Sequence, residues 1–387
     1  MKGLRWVTAG ESHGKALVGI LEGMPAGLAL DLERVDAELA RRQRGYGRGG
    51  RMKIERDRIE LLAGTKGGLT IGSPLAFTIA NQDQTIERLP VPTNPRPGHA
   101  DLAGCQKLAH RDPRAVLERA SARETSARVA LGALARQLLG QFGIELFAHV
   151  LEVGGVSVRT DAWEAAGERR GELREASEFL CLDPASESRL RARVDEASEK
   201  RDSLGGLFEV RVLGLPPGLG GYANPYERLS ARLGGALFSI PAIKGVEFGL
   251  GFGAARVPGS EMHDAILPRD ALPDSDSARW GRFARATNRA GGLEGGMTTG
   301  EPLVARVAMK PIPTLRAGLP SVDFESGVAV QSTYQRSDVT SVPAASVVGE
   351  AVLALELASA FLEKFGGDSL TQVRASFEAW SAAVREL

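Results

Sequence analysis

Two histidines of this 387-residue chain lie on glycine-flanked loops, His13 in GESHG and His99 in RPGHAD. Histidine is the usual general acid or base near neutral pH when it is exposed on a positioned loop. We interpret His149 and His263 as structural, because the first lies in a predicted strand and the second in a polar segment without periodicity. His110, close to His99 in KLAHRDPR, is left undecided. The pattern predicts proton transfer at His13 and His99.

Arginines concentrate in residues 41–53, RRQRGYGRGGRMK, although the whole chain carries no net charge. Glycines separate the arginines in its second half, so the backbone can approach a ligand closely and adopt positive φ angles. Guanidinium groups on such a loop bind phosphates and carboxylates through paired hydrogen bonds. Taken alone, the stretch is equally typical of a solvated surface loop or a nucleic-acid patch.

A second group of arginines lies in RASARETSAR, residues 119–128. Because Arg119 and Arg123 are four apart in a predicted helix, they share a face, and such a face needs an anion or an acidic partner. Glu118 and Glu124 offer surface ion pairing as the alternative explanation.

A glycine-rich segment, NRAGGLEGGMTTGEP at residues 288–302, can form a phosphate-binding turn or leave room for a flat ring. It matches neither a Walker A loop nor a G-x-G-x-x-G turn. Further along, Lys310 lies in KPIPT, and Arg336 and Asp338 lie in QRSDVTSVP. We find no nucleophile elbow and no metal-ligand spacing, so we expect no metal site. The inventory predicts acid/base chemistry on an anionic substrate.

Bulk properties narrow the class of protein. Lysine plus arginine and aspartate plus glutamate each number 48, so a protein that binds nucleic acid or an anionic membrane is disfavoured. The only cysteines are Cys105 and Cys181, which excludes a disulfide framework. The N-terminal apolar run is too short for a signal peptide, so we expect a cytoplasmic protein. A phosphatase-like hydrolase, the other alternative, needs a nucleophile or metal site that the sequence does not show.

Local patterns place these residues on elements of secondary structure. Residues 3–9 and 16–25 predict strands on either side of the GESHG turn. Asp31 is the predicted N-cap of a helix that runs into the arginine stretch, where the dipole of the helix C-terminus favours cations. Residues 82–98 predict an ordered surface loop that positions His99.

Longer elements complete the pattern. We predict short antiparallel strands over 54–80, one helix over 113–141, a strand over 146–160, a charged helix over 184–202, a strand over 205–220, a helix over 225–239, a glycine-broken strand over 245–255, a helix over 343–365 and a last helix with Asp368 as its N-cap. Strand-rich stretches separated by a few long helices, without regular βαβ alternation, favour an α+β layered fold over a Rossmann fold.

Eight segments follow one another along almost the whole chain: GESHG, RRQRGYGRGGRMKIE, RPGHADL, RASARETSARVA, IKGVEFGLGF, NRAGGLEGGMTTGEP, MKPIPTL and RSDVTSVPAA. In this order they closely resemble the chorismate synthase family. The resemblance implies a single domain over residues 1–387 with a variable helical insert at about 155–205. It also implies an α+β layered sandwich of long central helices between antiparallel β-sheets, assembled as a homotetramer.

The resemblance further implies a lyase of the shikimate pathway of aromatic amino acid biosynthesis. Its substrate would be 5-enolpyruvylshikimate 3-phosphate, converted to chorismate and phosphate by anti-1,4-elimination. The family requires reduced FMN although the reaction has no net redox change. Some members reduce the flavin with NADPH and others depend on a separate reductase, and the sequence leaves this open.

Residue roles carry over motif by motif. By this resemblance, His13 would protonate or stabilise the reduced flavin near N1, and His99 would protonate the leaving phosphate. Asp338 would take part in deprotonation through the flavin's N5. The substrate's phosphate and carboxylates would be bound by Arg48, Arg51 and Arg123, and the family's contacts with NADP correspond to Arg42 and Arg48.

The resemblance also implies a set of FMN contacts spread along the chain: Arg119, Ala120, Ser121, Pro241, Ala242, Gly295, Lys310, Pro311, Ile312, Pro313, Thr314 and Arg336. Two positions depart from the family, which often has serine at Ala120 and asparagine at Pro241. We expect these contacts to use backbone atoms, in which case neither change matters much. A required side-chain amide at 241 would instead weaken flavin binding.

Overall fold

The computed structural model of the chain describes residues 3–49, 56–332 and 338–387. Within these ranges the helices are α1 (Leu32–Gln43), α2 (Asp101–Leu108), α3 (Arg114–Leu117), α4 (Thr125–Gly140), α5 (Ala162–Ala166), α6 (Arg170–Ala176), α7 (Glu187–Glu199), α8 (Leu229–Phe238), α9 (Gly259–Met262), α10 (Val342–Phe365) and α11 (Leu370–Glu386). The strands in the same ranges are β1 (Arg5–Ala9), β2 (Ala16–Glu22), β3 (Glu60–Ala63), β4 (Thr65–Lys66), β5 (Leu69–Thr70), β6 (Leu75–Ala80), β7 (Glu145–Val153), β8 (Val156–Ser157), β9 (Gly206–Leu213), β10 (Ile243–Phe248), β11 (Ile266–Pro268), β12 (Phe283–Arg285), β13 (Leu293–Glu294), β14 (Met297–Thr298), β15 (Leu303–Met309), β16 (Pro320–Val322) and β17 (Ala329–Gln331).

The first sheet is antiparallel, with strand order β1-β2-β6-β3. Burial alternates along β2 and β6, so Leu17, Leu21 and Phe77 lie in the core while the other face is partly exposed. Gly19 pairs with Phe77 across the two strands, and a Cβ at Gly19 would lie 2.3 Å from the Phe77 ring. Glycine at this position therefore leaves the space that the Phe77 ring occupies in the core.

The second sheet is also antiparallel, with strand order β10-β15-β9-β7-β8. Phe208 of β9 is fully buried against α10, where a Cβ at Gly349 would lie 2.7 Å from its ring. On the opposite face of the sheet, His149 of β7 stacks on Trp163 of α5 with ring centroids 5.8 Å apart. Helices therefore cover both faces of this sheet.

The two longest core helices, α4 and α10, lie between the sheets, since α4 packs on β2 and α10 packs on β7 and β9. They approach closely, because a Cβ at Gly132 of α4 would lie 2.4 Å from the Cα of Ala351 in α10. The helix α10 has the length and mean hydropathy, 1.7, of a membrane span, yet 94% of that apolar window is buried inside the protein. The predicted α+β sandwich of long central helices between antiparallel sheets is confirmed.

The predicted single helix over 113–141 is wrong, because the chain leaves the helical conformation after α3 and returns to it at α4. Between them, Ser121 adopts an extended backbone with φ −66° and ψ 143°, and its hydroxyl accepts a hydrogen bond from the Arg123 N–H. Serine competes with the helix through such local bonds. Arg119 and Arg123 therefore lie on different elements, and the predicted arginine face does not form.

Three smaller predictions also differ from the structure. The strand predicted over 146–160 is a hairpin of β7 and β8, and the strand predicted over 245–255 ends with β10. The N-cap of α11 is Ser369 rather than Asp368. Its hydroxyl accepts a hydrogen bond from the Gln372 N–H, and the Gln372 side chain accepts one from the Ser369 N–H. This reciprocal capping box favours the serine.

Candidate active site

His13 lies in the turn between β1 and β2, and 23% of its side chain is exposed. Its Nδ1 lies 2.8 Å from Oε2 and 3.1 Å from Oε1 of Glu118. The backbone N–H of His13 donates to the same carboxylate at 3.0 Å, and the N–H of Ser12 donates to the Glu118 carbonyl at 3.0 Å. One glutamate therefore holds both the ring and the backbone of this loop.

Burial of Glu118 disfavours its charged form. The hydrogen bond and charge of His13, together with the Arg114 Nη1 at 3.1 Å from Oε1, outweigh burial and lower the pKa of Glu118. The carboxylate is therefore ionised at neutral pH and can only accept hydrogen bonds. The other ring nitrogen of His13, Nε2, lies 3.9 Å from Oδ2 of Asp83.

His99 lies at the end of the predicted loop over 82–98, and its side chain is 16% exposed. Its Nδ1 lies 2.5 Å from Oδ1 of Asp101, the first residue of α2. Arg96 binds the same carboxylate, with Nε 2.8 Å from Oδ2 and Nη2 3.0 Å from Oδ1. The Nη1 of Arg96 donates to the Thr314 hydroxyl at 3.2 Å. The loop is thus ordered by a connected group of polar side chains.

The Asp101 carboxylate is buried, and burial opposes its ionisation. Hydrogen bonds from His99 and Arg96, together with their charges, hold its pKa well below the usual range. This carboxylate is also ionised at neutral pH.

Arg48 and Asp338 form an ion pair, with Nη1 2.7 Å from Oδ2. Two further groups bind the aspartate: the Gly49 N–H at 2.6 Å and the Ser341 hydroxyl at 2.8 Å. The backbone beside it is also fixed, because the Val339 N–H donates to the Gly47 carbonyl at 2.8 Å. The arginine loop, residues 44–49 after α1, and the segment that carries Asp338 are therefore held side by side.

Arg42, in the last turn of α1, and Arg123, just before α4, are both buried. The Nη1 of Arg123 lies 2.6 Å from both carboxylate oxygens of Asp57. The Nε of Arg42 donates to the Thr125 hydroxyl at 2.9 Å, and its Nη2 donates to the Ala122 carbonyl at 2.7 Å. These contacts connect the last turn of α1 to the first turn of α4.

The charges of this region interact with one another. Burial lowers the pKa of Arg42, and repulsion by Arg48 and Arg123 acts in the same direction, while Asp57 and Asp338 oppose the shift; the resulting pKa is about 10. Among the described residues, Nη1 of Arg42 is buried without a hydrogen-bond partner, 3.9 Å from Oδ2 of Asp57. Three arginines against two aspartates leave positive charge that favours an anion.

The first predicted flavin-binding segment, 119–121, lies beside the His13 loop. The Nη2 of Arg119 donates to the Thr8 carbonyl at 2.8 Å, and the Ser121 hydroxyl lies 3.3 Å from the Ser12 hydroxyl. Ala120 follows α3, and its N–H donates to the Val116 carbonyl at 2.9 Å.

The second predicted flavin-binding segment, 310–314, lies beside the His99 loop. The Lys310 Nζ donates to the Gly98 carbonyl at 3.0 Å. The Lys310 N–H donates to the Ala242 carbonyl at 2.9 Å, so the Pro241–Ala242 turn joins the same corner. Ala242 has a φ of 70°, in the left-handed region that residues other than glycine seldom adopt.

This corner is connected to the segment that carries Asp338. The Ser203 hydroxyl donates to the Ile312 carbonyl at 2.6 Å, and the Leu204 N–H donates to the Val339 carbonyl at 2.8 Å. Most of the predicted site residues therefore belong to three connected groups around His13, His99 and Asp338.

Gly295 is separate from these groups. It lies in the turn between β13 and β14 near the first residue of α8, where the Leu229 N–H donates to the Gly296 carbonyl at 2.7 Å. The Pro241–Ala242 turn follows the other end of α8, and ten helical residues span about 15 Å. Two other predicted site residues, Arg51 and Arg336, lie outside the described residues.

The segment 155–205 contacts the arginine loop directly. The Tyr46 hydroxyl donates to Asp195 of α7 at 2.7 Å, and the Arg44 Nη1 lies 2.5 Å from Oε2 of Glu175 in α6. Gly47 has a φ of 79°, and a Cβ there would lie 2.8 Å from Val194 of α7. The loop that carries Arg48 thus passes between the segment 155–205 and the Asp338 segment.

Comparison with known proteins identifies the family. A sequence model described as chorismate synthase matches residues 4–362. The chain belongs to the chorismate synthase family. It is 49% identical to the chorismate synthase of Trichlorobacter lovleyi over 99% of this chain and 100% of that one, and 52% identical to that of Rubrobacter xylanophilus over 96% and 95%. A crystal structure of chorismate synthase is similar with a TM-score of 0.81 and 41% identity, covering all of both chains.

Membership of the chorismate synthase family makes the chain an enzyme, a lyase of the shikimate pathway. The match extends from the strand before His13 to the helix after Asp338, so it includes all three connected groups. The other histidines have different surroundings. His149 is buried beside Glu209, His263 is exposed, and the Nδ1 of His110 accepts a hydrogen bond from the Asp112 N–H at 3.2 Å.

Three acidic residues of the candidate site, Asp57, Asp101 and Glu118, are not among the site residues predicted from the sequence of this chorismate synthase family member. Asp101 had a usable signal, because it lies two residues after His99 in the same glycine-flanked loop. The sequence shows Glu118 only as a possible ion-pair partner of nearby arginines. Asp57 had no local signal, since its partner Arg123 lies 66 residues away in the chain.

Proposed function

We propose that this chain eliminates phosphate from 5-enolpyruvylshikimate 3-phosphate to give chorismate, with reduced FMN as its cofactor. The observation that carries the proposal is the arginine cluster of the buried Arg42 and Arg123 with Arg48, in which the Arg42 Nη1 has no hydrogen-bond partner among the described residues. A buried donor surrounded by excess positive charge favours an anionic ligand. The proposed substrate carries one phosphate and two carboxylates, which matches this charge.

The two proton transfers have candidate groups. During the elimination the bond from carbon to the allylic phosphate breaks, and the phosphate leaves with the electron pair. His99 donates a proton to that phosphate as general acid. Asp338 takes part in removing the proton from carbon 6. The electrons of the broken C–H bond form a new double bond, and the existing ring double bond shifts to the carbon that loses the phosphate. His13 holds a proton at the cofactor.

The residues that would hold FMN form two groups: the turn Arg119–Ser121, and the corner of Ala242 with residues 310–314. Reduced FMN supplies transient electron donation to the substrate in this chemistry. Three groups offer hydrogen-bond donors or backbone atoms suited to binding FMN: the Ser121 hydroxyl, the Lys310 ammonium and the turn at Ala242 with its φ of 70°. The Ala242 carbonyl accepts a hydrogen bond from the Lys310 N–H, so a backbone contact fixes this turn despite proline at 241.

We also propose a cytoplasmic homotetramer. Large apolar side chains are exposed on the outer face and edge of the first sheet, with Val7 56% and Leu62 58% exposed, and elsewhere Phe252 is 77% exposed. Such side chains favour burial between subunits. Analytical ultracentrifugation of the purified chain measures the assembly, and a monomer at micromolar concentration would contradict it.

An anaerobic assay tests the reaction. Purified protein, chemically reduced FMN and 5-enolpyruvylshikimate 3-phosphate should yield chorismate and phosphate in equal amounts. Phosphate release without reduced flavin would favour a hydrolase instead. The same assay in air with oxidised FMN and NADPH then decides whether this chain reduces FMN itself, with Arg42 and Arg48 as the proposed NADPH contacts, or whether an external reductant is needed.

A further inference from the structure

The two proposed catalytic histidines share one arrangement. In each, Nδ1 faces a buried carboxylate that is also bound by an arginine: Glu118 and Arg114 behind His13, and Asp101 and Arg96 behind His99. The distances from Nδ1 to the nearest carboxylate oxygen are 2.8 Å for His13 and 2.5 Å for His99. The two groups lie on different loops, so the likeness is not a consequence of one local fold.

An ionised carboxylate can only accept hydrogen bonds, so the nitrogen that faces it must carry the hydrogen. Each carboxylate here is ionised, because its histidine and arginine partners outweigh the effect of burial and lower its pKa. In His99 the Arg96 Nη2 also lies 3.0 Å from Nδ1 and 3.5 Å from Nε2, but Oδ1 of Asp101 is nearer, at 2.5 Å from Nδ1. Nδ1 therefore carries a hydrogen in both the neutral and the charged imidazole. Proton exchange with a ligand is left to Nε2, which in His13 lies 3.9 Å from Oδ2 of Asp83.

We propose that Glu118 and Asp101 are positioning residues that fix His13 and His99 with the hydrogen on Nδ1, so that Nε2 is the atom that exchanges protons in the reaction. This inference rests on the proposed function for its catalytic part. Arg114 and Arg96 keep the carboxylates charged and correctly oriented, as second partners do for histidines in other sites.

His149 provides an internal contrast. Its Nε2, not its Nδ1, lies 3.3 Å from Oε1 of the buried Glu209. Burial opposes ionisation of Glu209, but the hydrogen bond of His149 and the charges of Arg211 and His149 lower its pKa to about 2. Because Nε2 of His149 faces an ionised carboxylate, it carries the hydrogen. The chain therefore contains a buried histidine–glutamate pair of opposite tautomer away from the three connected groups.

The test combines histidine NMR with kinetics on the full-length protein. Nitrogen-15 shifts of histidine-labelled protein, assigned with single His→Gln variants, should show hydrogen on Nδ1 for His13 and His99 and on Nε2 for His149. Glu118→Gln presents an amide that can donate to Nδ1, so His13 should change to the Nε2–H form. Turnover should then fall by about a hundredfold or more with KM nearly unchanged, because a wrong tautomer removes proton transfer and leaves binding intact.

Asp101→Asn should act in the same way on His99. Glu209→Gln is the matched control, because it makes the same substitution at a buried glutamate paired with a histidine, and it should leave turnover unchanged. Glu118→Asp keeps a carboxylate and should restore the Nδ1–H form with turnover above that of Glu118→Gln.

Several results would overturn the inference. An Nε2–H tautomer of His13 or His99 in the unaltered protein contradicts it without any variant, so a variant that fails to fold does not prevent the test. A large loss of turnover in Glu118→Gln without a change of tautomer would show a general structural effect instead. If the unaltered protein forms no chorismate, the proposed function fails, while the NMR result still decides the tautomers.

Discussion

Arg48 and Asp338 lie 2.7 Å apart and form an ion pair, although the sequence motifs assign substrate binding to the first and proton removal to the second. The Gly49 N–H binds the same aspartate at 2.6 Å, so the carboxylate also holds the backbone of the arginine loop. The two proposed roles are therefore coupled: a change at Asp338 affects both the proton acceptor and the position of Arg48.

Asp338→Asn should preserve the fold and lower turnover by about a hundredfold or more, because asparagine cannot accept the proton. Substrate binding should weaken as well, since the amide has one acceptor oxygen for the donors that the carboxylate binds. Steady-state kinetics and calorimetric binding of the substrate separate the two effects. Asp274→Asn, an exposed aspartate in the loop before β12, is the control, and unchanged turnover in Asp338→Asn would remove this residue from the site.

His99→Ala should lower turnover by roughly a hundredfold or more while FMN binding stays nearly intact, as expected for a lost general acid. Flavin titration by fluorescence and single-turnover formation of phosphate measure the two properties. The exposed His263→Ala serves as control and should behave like the unaltered protein. Turnover close to normal in His99→Ala would contradict the assignment.

Elements with a local signal could be predicted from the sequence. Asp31 caps α1 by accepting a hydrogen bond from the Arg34 N–H, and Gly366 ends α10, both as predicted. The break before α4 could not be predicted from periodicity, because apolar spacing continues through it while the hydroxyl of Ser121 competes for the backbone. Likewise, Gln372 decides between two adjacent cap candidates, Asp368 and Ser369.

The same contrast applies to the candidate site: residues in local motifs could be predicted, and contacts between distant parts of the chain could not. Motifs on loops were sufficient to single out His13, His99 and Asp338 as candidates. The carboxylate that binds the His13 ring could not be predicted, because Glu118 is 105 residues away and meets it only when the first sheet packs against the turn before α4. Burial of Arg123 was also missed, since a charged side chain on a predicted helix is usually exposed.

Arg123→Ala should lower the free energy of unfolding by about 3–5 kcal/mol, because it leaves the buried Asp57 carboxylate without its main partner. Arg48→Ala should cost less stability and mainly weaken substrate binding, since its partner Asp338 is more exposed. Urea unfolding and calorimetric substrate binding distinguish the two arginines. Equal stability of Arg123→Ala and the unaltered protein would show that Asp57 finds another partner.

The segment 155–205 should influence substrate binding through Asp195 of α7, whose hydrogen bond with Tyr46 holds the arginine loop against this helix. Tyr46→Phe and Asp195→Asn should each raise the substrate KM a few-fold, because one such bond contributes about 0.5–1.5 kcal/mol. The double variant should be no worse than either single variant if the bond is the cause. Glu199→Gln on the same helix is the control, and additive effects in the double variant would argue against the hydrogen bond.

Glu350 connects four helices. It lies on α10, and its carboxylate binds Arg41 of α1, Arg136 of α4 at 3.0 Å and Arg174 of α6 at 2.9 Å. Burial opposes its charge, but the three arginines outweigh burial and hold the pKa of Glu350 below its usual value. Glu350→Gln removes the charge that compensates them, so the free energy of unfolding at neutral pH should fall by about 3–5 kcal/mol.

The pH dependence gives a second test of Glu350. Because its pKa is lower in the folded than in the unfolded state, the unfolded state binds more protons as the solution is acidified. Its contribution to stability should be complete above the ordinary glutamate value near 4.5 and be lost as the pH falls towards the folded-state value. Urea unfolding at several pH values should therefore show a shallower acid dependence in Glu350→Gln than in the unaltered protein. Glu356→Gln, on the same helix but partly exposed beside Arg232, should keep the normal dependence; parallel curves for all three proteins would mean that other carboxylates control acid unfolding.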